Sequence, residues 1–370
     1  MKLIATLGAT SVDKDHIYII NGKKYNAKIS PLALKEHFKI EDKDVYIIGT
    51  KQTKERLGDI IRDFNFVEIN EDSLENVFET AVKFIEKGDV VDLTQGYRSF
   101  PFGVFLALNF SKIMDKDPYD VYYAQIQNIT CNYRTDICSH KFVSLKKYLE
   151  IGDLAREINS FVTSWYVVEY EIDNFESFKK LLDKLSKKLL SNDLDVLGDT
   201  DNLKKEIISL EKTYVYLRHH LGLLMNEIKG IEENLKLKED YKKFYSMANM
   251  YFKKGLMLQT LTMLFEAVNA YLAETVPDNF YCYKNDRKYL KTSKNKYAFR
   301  NCVKNLLRKE KACEKWFFKN LKNCAEFRKK FRRIDEMRND SAHAFINGNT
   351  LENFYKEVES LLNFFAKYLQ

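Results

Sequence analysis

Long uncharged apolar stretches are missing from this sequence. No window of about 18 apolar residues free of charge occurs, which argues against a membrane-spanning helix. The opening residues, MKLIATLGAT, lack the length and the flanks of a signal peptide. We therefore expect a protein of the cytoplasm, and 370 residues suffice for two domains that each bury a core.

Cysteine and histidine are both scarce, with six of each in the chain. The cysteines form no CxxC pair, so a zinc site of the common kind is not indicated. Their number is low for a disulfide scaffold of this length, and we expect reduced thiols. Cys131, Cys138 and His140 lie near one another in sequence, but spacing alone is weak support for metal ligands, and we expect no metal site.

Proline is absent between Pro118 and Pro277, and long segments of helical periodicity fill this part of the chain. We predict a helical domain over residues 151–370. Within it, the stretch SNDLDVLGDTDN (191–202) is expected to form a loop between helices. The motif YLRHHLGLL (216–224) is expected in the middle of a helix.

Residues 1–150 instead alternate between short β-rich runs and helical stretches. The predicted strands are LIATL (3–7), DVYIIG (44–49), FVEI (66–69), DVVDLT (89–94) and YDVYYAQI (119–126). The predicted helices are SPLALKEHF, TKERLGDIIRDF, SLENVFETAVKFIEK and PFGVFLALNFSKIM. Repeated strand–helix units predict a Rossmann-like α/β domain with a mostly parallel sheet and helices on its faces.

Three loops follow predicted strands of this domain, at residues 8–11, 49–53 and 94–99. The carboxyl ends of parallel strands are where such sheets bind ligands, and helix N-termini there attract phosphate. The loops contain small residues and hydroxyl groups, but none is a GxGxxG or Walker A sequence. A dinucleotide cofactor or ATP is thus not indicated, and the loops are either a phosphate site or tight turns only.

Positive charge is concentrated near the C-terminus. The chain has a net charge of +7, yet residues 281–345 contain 20 Lys and Arg against 7 Asp and Glu. A patch of this kind attracts polyanions, of which nucleic acid is the common one. The alternative is a solvated helix face without a partner.

One Arg–His pair follows this basic region, in the motif RNDSAH (338–343). Cleavage of RNA without a metal needs an imidazole that moves protons and a cation that stabilises the charge on the phosphorane. Arg338 and His343 supply both groups. The similar pair Arg134 and His140 lies in a segment of near-neutral charge, and a structural role is expected for His219–His220, with Arg218 as a possible auxiliary at an RNA cleft.

Positions five apart on a continuous helix point about 140° away from each other. Arg338 and His343 would then not grip one phosphate from a single chain. Asn339, Asp340 and Ser341 favour helix caps, so we expect them to break the helix and re-aim the pair. We also expect a two-fold dimer in which both motifs face one cleft. The alternative role for His343 is that of a buried, hydrogen-bonded helix residue.

Two motifs resemble those of a known family. The segment DLTQGYRSFP (92–101) is similar to the DxTHG signature of CRISPR-associated CARF-domain proteins, with Gln95 in place of the histidine. RNDSAH resembles the R-x4-6-H motif of HEPN ribonucleases. Their order, CARF first and HEPN last, extends the resemblance over nearly the whole chain.

The resemblance implies an ancillary ribonuclease of type III CRISPR defence, a homodimer that cleaves single-stranded RNA and leaves 2′,3′-cyclic phosphates. A cyclic oligoadenylate, with cyclic tetra-adenylate expected, would activate it, and no cofactor is implied. The implied ligand site consists of Gly8, Ala9, Thr10, Gly49, Thr50, Asp92, Thr94, Gln95, Gly96 and Arg98. The implied nuclease site consists of Arg338, Asn339 and His343. Two alternatives stay open: a regulator that binds nucleic acid without cleaving it, and a CARF domain that degrades its own activator.

Overall fold

The computed structural model describes residues 1–9, 14–70, 73–97, 99–114, 116, 118–127, 131, 136–168, 173–275, 281–284, 287–290, 323–342 and 351–369. The chain divides into two compact units, Met1–Gly152 and Asp153–Gln370. The first unit contains a mostly parallel sheet with helices, and the second is largely helical. The predicted fold class is therefore confirmed.

Five parallel strands form the larger part of the sheet. They are β1 (Leu3–Thr6), β4 (Val45–Gly49), β5 (Asn65–Glu68), β6 (Val90–Asp92) and β7 (Asp120–Ile126). Their spatial order is β7–β6–β1–β4–β5, with Leu3 of β1 opposite Val45 on one side and Val90 on the other. Each strand overlaps one of the five predicted runs. Short strands rich in branched apolar residues suit a parallel sheet that is covered on both faces.

Three further strands, which the sequence analysis did not predict, extend this sheet beyond β7. They are β2 (His16–Ile20), β3 (Lys23–Ala27) and β8 (Ser139–Ser144), in the order β3–β2–β8–β7. The antiparallel hairpin of β2 and β3 turns at Asn21 and Gly22, whose φ angles are 50° and 81°. Asn-Gly is the residue pair that tolerates two successive positive φ angles, so this turn was readable in the sequence.

Helices cover both faces of the sheet. They are α1 (Ser30–Phe38), α2 (Lys51–Leu57), α3 (Leu74–Phe84) and α4 (Ser99–Ile113). Successive strand residues point to opposite faces. Accordingly, Leu3 and Ala5 of β1 belong to the buried cluster that includes residues of α1 and α2, whereas Ile4 belongs to the cluster with α3 and α4. The helix predicted over residues 53–64 ends early, at Leu57.

The second unit consists mainly of helices. The described helices after the sheet are α5 (Lys146–Ser164), which begins in the first unit, α6 (Glu176–Leu190), α7 (Leu197–Thr213), α8 (Arg218–Leu235), α9 (Asp240–Lys253), α10 (Met257–Thr275), α11 (Cys324–Ala342) and α12 (Leu351–Leu369). An unpredicted antiparallel hairpin, β9 (Tyr281–Lys284) with β10 (Arg287–Leu290), lies between α10 and α11. In the described part of the chain, no helix has the length and apolarity needed to cross a bilayer.

The loop predicted over residues 191–202 is wrong for its second half, because α7 already begins at Leu197. The Thr200 hydroxyl donates to the Leu197 carbonyl at 2.8 Å, and Asp199 forms ion pairs with Lys184 and Lys188 at 2.7 and 2.8 Å. These contacts stabilise the first turn of α7. The polar composition of this turn is the reason that a loop was predicted there. The position expected for His219–His220 is also wrong, since α8 begins at Arg218 and both histidines lie in its first turn.

The prediction that the cysteines are reduced is wrong for Cys131, Cys138 and Cys324. Cys131 and Cys138 form a disulfide across a Cα–Cα distance of 5.8 Å, and Cys324 is also disulfide-bonded. The antiparallel pairing of β7 with β8 places Ile126 opposite His140, which brings the two ends of their connection together. Strand pairing therefore brings Cys131 and Cys138 together. The sequence spacing of the two cysteines does not reveal this pairing.

Candidate functional sites

The first candidate site lies where β1 and β6 end. After β1 the chain forms the β2–β3 hairpin at the far edge of the sheet. It then continues to β4 and β5 on one side of β1 and returns to β6 on the other side. In open α/β sheets, ligands bind in the crevice outside the carboxyl ends of the strands at such a switch point. The loops that follow β1, β4 and β6 are the three that the sequence analysis selected, and they meet at this edge of the sheet.

The loops after β1 and β6 touch through their backbones. A Cβ atom added to Gly8 would lie 3.3 Å from the carbonyl carbon of Gly96 and 3.4 Å from the backbone nitrogen of Tyr97. Gly96 has a φ angle of +143°, and a Cβ atom there would lie 3.2 Å from Oγ1 of Thr6. The Thr6 hydroxyl donates to the Gln95 carbonyl. The φ angle of Gly96 strongly favours glycine at that position, and the tight contact of Gly8 with the next loop leaves little room for a side chain.

The loop after β4 is attached to the same edge by two threonines. Thr50 caps α2, and its Oγ1 accepts a hydrogen bond from the Thr53 nitrogen at 3.3 Å, while Oγ1 of Thr53 accepts one from the Thr50 nitrogen at 3.4 Å. The Thr53 hydroxyl also lies 3.3 Å from the carbonyl oxygen of Leu7, to which it donates. A Cβ atom on Gly49 would lie 3.2 Å from that same oxygen. Gly49 and Thr50 are both buried, so they shape the loop from beneath.

Asp92 lies under the crevice at the end of β6, with only 1% of its surface exposed. Its Oδ1 accepts from the Thr94 nitrogen at 2.9 Å, and its Oδ2 accepts from the Ser30 hydroxyl at 2.6 Å. The Thr94 Oγ1 in turn accepts from the Ala124 nitrogen at 2.8 Å. Burial raises the pKa of Asp92 to about 6. This carboxyl group therefore orders the loop, and its contacts are all internal.

At the rim of the crevice, Tyr97 and Gln52 lie within the selected loops but were not named as ligand residues, and Arg56 lies outside those loops. The Tyr97 hydroxyl donates to Oε1 of Gln52 at 2.9 Å, which links the loop after β6 to α2. Arg56 donates to the Ala9 carbonyl at 2.8 Å. Both Gln52 and Arg56 belong to α2, whose first residues overlap the selected loop 49–53. Their position in the first two turns of that helix was the available signal. Thr10 and Arg98 lie outside the described residues.

The second candidate site lies near the end of α11. Arg338 donates to Oδ1 of Asp335 at 3.1 Å, and its Cζ atom lies 4.4 Å from the centre of the Phe265 ring of α10. Asn339 is exposed, and His343 lies outside the described residues. The helix break expected at residues 339–341 is wrong, because α11 continues through Ala342. The three cap-forming residues are therefore accommodated within the helix.

The other histidine candidates have structural surroundings. His140 of β8 is 5% exposed, and its ring stacks on Tyr18 with the centres 5.0 Å apart. Burial lowers the pKa of His140 to about 4, with a smaller contribution from neighbouring His16. The alternative partner Arg134 lies outside the described residues. Among the described residues, no group of three or more His, Cys, Asp or Glu side chains could hold a metal ion.

No protein-family model matches the chain, and no curated protein matches it. Among solved structures, the chain is similar to Csm6 of Enterococcus italicus bound to cyclic hexa-2′-fluoro-hexa-dAMP. The TM-score is 0.41 and the sequence identity is 13%, over 100% of this chain and 95% of that one. We assign no residue of this protein from that likeness.

Proposed function

We propose that this protein is an endoribonuclease of type III CRISPR defence that a cyclic oligoadenylate activates. The ligand binds the first unit at the crevice formed by the loops after β1, β4 and β6. The second unit cleaves single-stranded RNA with Arg338, Asn339 and His343. The backbone contact between Gly8 and Gly96 at the switch point of the sheet is the observation that carries this proposal.

The chemistry of the crevice suits an anionic nucleotide ring. Gly8 and Gly96 let the loops after β1 and β6 approach each other closely, and α4 begins at Ser99, immediately after the second of these loops. Free N–H groups at a helix N-terminus bind phosphate oxygens, and the helix dipole adds to the attraction. The Tyr97 hydroxyl and the Gln52 amide lie at the rim. Both groups can hydrogen-bond the donors and acceptors on the edge of an adenine base.

The surface of α4 supports a homodimer. Phe102, Leu106 and Phe110 of α4 and Met114, directly after its end, are spaced four residues apart, and they are 55%, 39%, 45% and 50% exposed. An exposed apolar stripe of this kind is typical of a protein–protein interface. The stripe carries no charge that a different partner would have to complement, so a second copy of the same stripe matches it.

The cleavage step uses the 2′-hydroxyl of the RNA as nucleophile. Because α11 continues through Ala342, the site is completed by a two-fold dimer in which both RNDSAH motifs face one cleft. In this cleft His343 moves the proton between that hydroxyl and the departing 5′-oxygen, and Arg338 stabilises the negative charge of the phosphorane. The bond from phosphorus to the 5′-oxygen breaks as the bond to the 2′-oxygen forms. The products are a 2′,3′-cyclic phosphate and a 5′-hydroxyl, and no metal or cofactor is needed. Asn339, which is exposed and follows Arg338 in α11, hydrogen-bonds the substrate in this proposal.

Ligand binding is tested by thermal unfolding with cyclic tri-, tetra- and hexa-adenylate. A ligand present at about 100 times its Kd stabilises the folded state by about 2.7 kcal/mol, which raises the melting temperature by several degrees. The proposal expects a rise for one ring size and none for linear oligoadenylate of equal length. No rise with any cyclic oligoadenylate would contradict the ligand assignment.

A further inference from the structure

Arg338 is held by a stack of aromatic rings that comes from two helices. Phe265 of α10 lies beneath the guanidinium, with 4.4 Å between Cζ and the ring centre. Phe331 of α11 stacks on Phe265, with 5.2 Å between the ring centres and an angle of 10° between the ring planes. Both phenylalanines are 1% exposed or less. The platform under Arg338 is therefore itself fixed by the core.

A second contact fixes the rotation of the same guanidinium. Asp335, one helical turn before Arg338, accepts a hydrogen bond from its NH2 group at 3.1 Å. The two side chains are 20% and 28% exposed, so the pair lies at the margin of the core and reaches solvent. With one face over a ring and one edge on a carboxylate, a planar guanidinium has a defined orientation. Within the described residues its other N–H groups make no further hydrogen bond, and we assign them to an anion of the substrate.

We infer that Phe265 is a positioning residue for RNA cleavage, which orients Arg338 toward the scissile phosphate through the face of its aromatic ring. The inference rests on the proposed function and extends it to a residue in a different helix, far from the RNDSAH motif in sequence. Catalytic groups act at full strength only when they are held near the reacting geometry. Phe265 supplies this restraint from a position that does not contact substrate.

An alternative is that Phe265 merely fills the core. The two roles differ in what they require of the ring, because a cation is attracted by the negative face of the ring, whereas packing depends on its shape. Fluorine atoms weaken the negative face while changing the shape little. Site-specific replacement of Phe265 by mono-, di- and trifluorinated phenylalanine therefore separates them.

The experiment measures single-turnover RNA cleavage by the full-length protein with saturating activator and EDTA. We expect the cleavage rate to fall stepwise with each fluorine, to about one tenth of its original value for the trifluorinated residue, while RNA affinity stays unchanged. Phe265→Leu should lose at least as much activity, and Phe265→Trp should retain more than Phe265→Leu. Thermal unfolding of each variant reports whether the fold is retained.

Phe327 provides the matched control. It is a fully buried phenylalanine of α11 that packs against Phe365 and Tyr368, with ring centres 5.1 and 5.0 Å away. The same fluorine series at Phe327 should leave the cleavage rate constant. Equal rates across the Phe265 series, with cleavage still abolished by Arg338→Ala, would overturn the inference and leave the proposed function intact. Full cleavage by Arg338→Ala would refute both.

Discussion

Replacing Asp92 by asparagine should change how the stability of the protein depends on pH. Burial raises the pKa of Asp92 from 3.8 to about 6, so the folded state holds this proton more tightly than the unfolded chain. The resulting stabilisation is fully present below the unfolded pKa and is lost as the pH rises through the folded value. A shift of roughly two units is worth about 3 kcal/mol in full, and about 2 kcal/mol between pH 4.5 and 7.5.

The asparagine variant preserves the hydrogen bonds of this site. Its Oδ1 can accept from the Thr94 nitrogen, and its amide can donate to the Ser30 oxygen, since a hydroxyl group can reverse its role. Urea unfolding of both proteins at about pH 4.5 and 7.5 measures the difference in unfolding free energy. We expect the natural protein to lose about 2 kcal/mol relative to the variant on going to the higher pH.

Asp89→Asn is the control for replacing a buried carboxylate. Asp89 is 2% exposed, and its two oxygens accept from the backbone nitrogens of Lys2 and Glu86 at 2.8 and 3.0 Å. The NH2 group of an asparagine side chain there would face a backbone N–H group, which is also a donor. The unfolding free energy of this variant should therefore fall by about 1–3 kcal/mol. A stability difference between the Asp92 variant and the natural protein that is identical at both pH values would refute the reasoning about Asp92.

Three further changes have defined outcomes. Gly96→Ala strains a φ angle of +143° and places Cβ 3.2 Å from Oγ1 of Thr6, so calorimetry should show activator binding at least tenfold weaker. The control Gly22→Asn keeps an allowed left-handed turn and should leave activator binding unchanged. Leu106→Glu with Phe110→Glu places like charges across the α4 stripe, and sedimentation should show monomers, while unchanged dimers would exclude this stripe as the interface. Glu357→Gln removes the charge from the bidentate pair with Arg333, at 2.7 and 2.8 Å, and should lower the unfolding free energy by about 1 kcal/mol, less at high salt.

The strands of the parallel sheet were predictable because each is a short apolar run bounded by turn residues. The hairpin of β2 and β3 was missed although Asn21–Gly22 signals it, because β3 is mostly polar and begins with Lys23 and Lys24. The strand β8 contains few branched apolar residues and is recognisable only through its partner β7.

The loops at the switch point were predictable from small residues after strands, since that chemistry is local. The role of Asp92 was not, because its burial depends on Ser30 of α1, which lies 62 residues away. Contacts such as that of Arg338 with Phe265 arise from the packing of separate helices and leave no sequence pattern. The continuity of α11 through Asn339 and Asp340 likewise shows that packing outweighs the capping preferences of single residues.

RNA cleavage by the His343→Ala variant tests the central proposal most directly. Natural protein in EDTA should cut single-stranded RNA only after addition of a cyclic oligoadenylate, and the new ends should be 2′,3′-cyclic phosphates. The variant should show the same activator-induced rise in melting temperature and no cleavage above background. Cleavage by the variant at the natural rate, or cleavage by the natural protein that does not respond to the activator, would contradict the account.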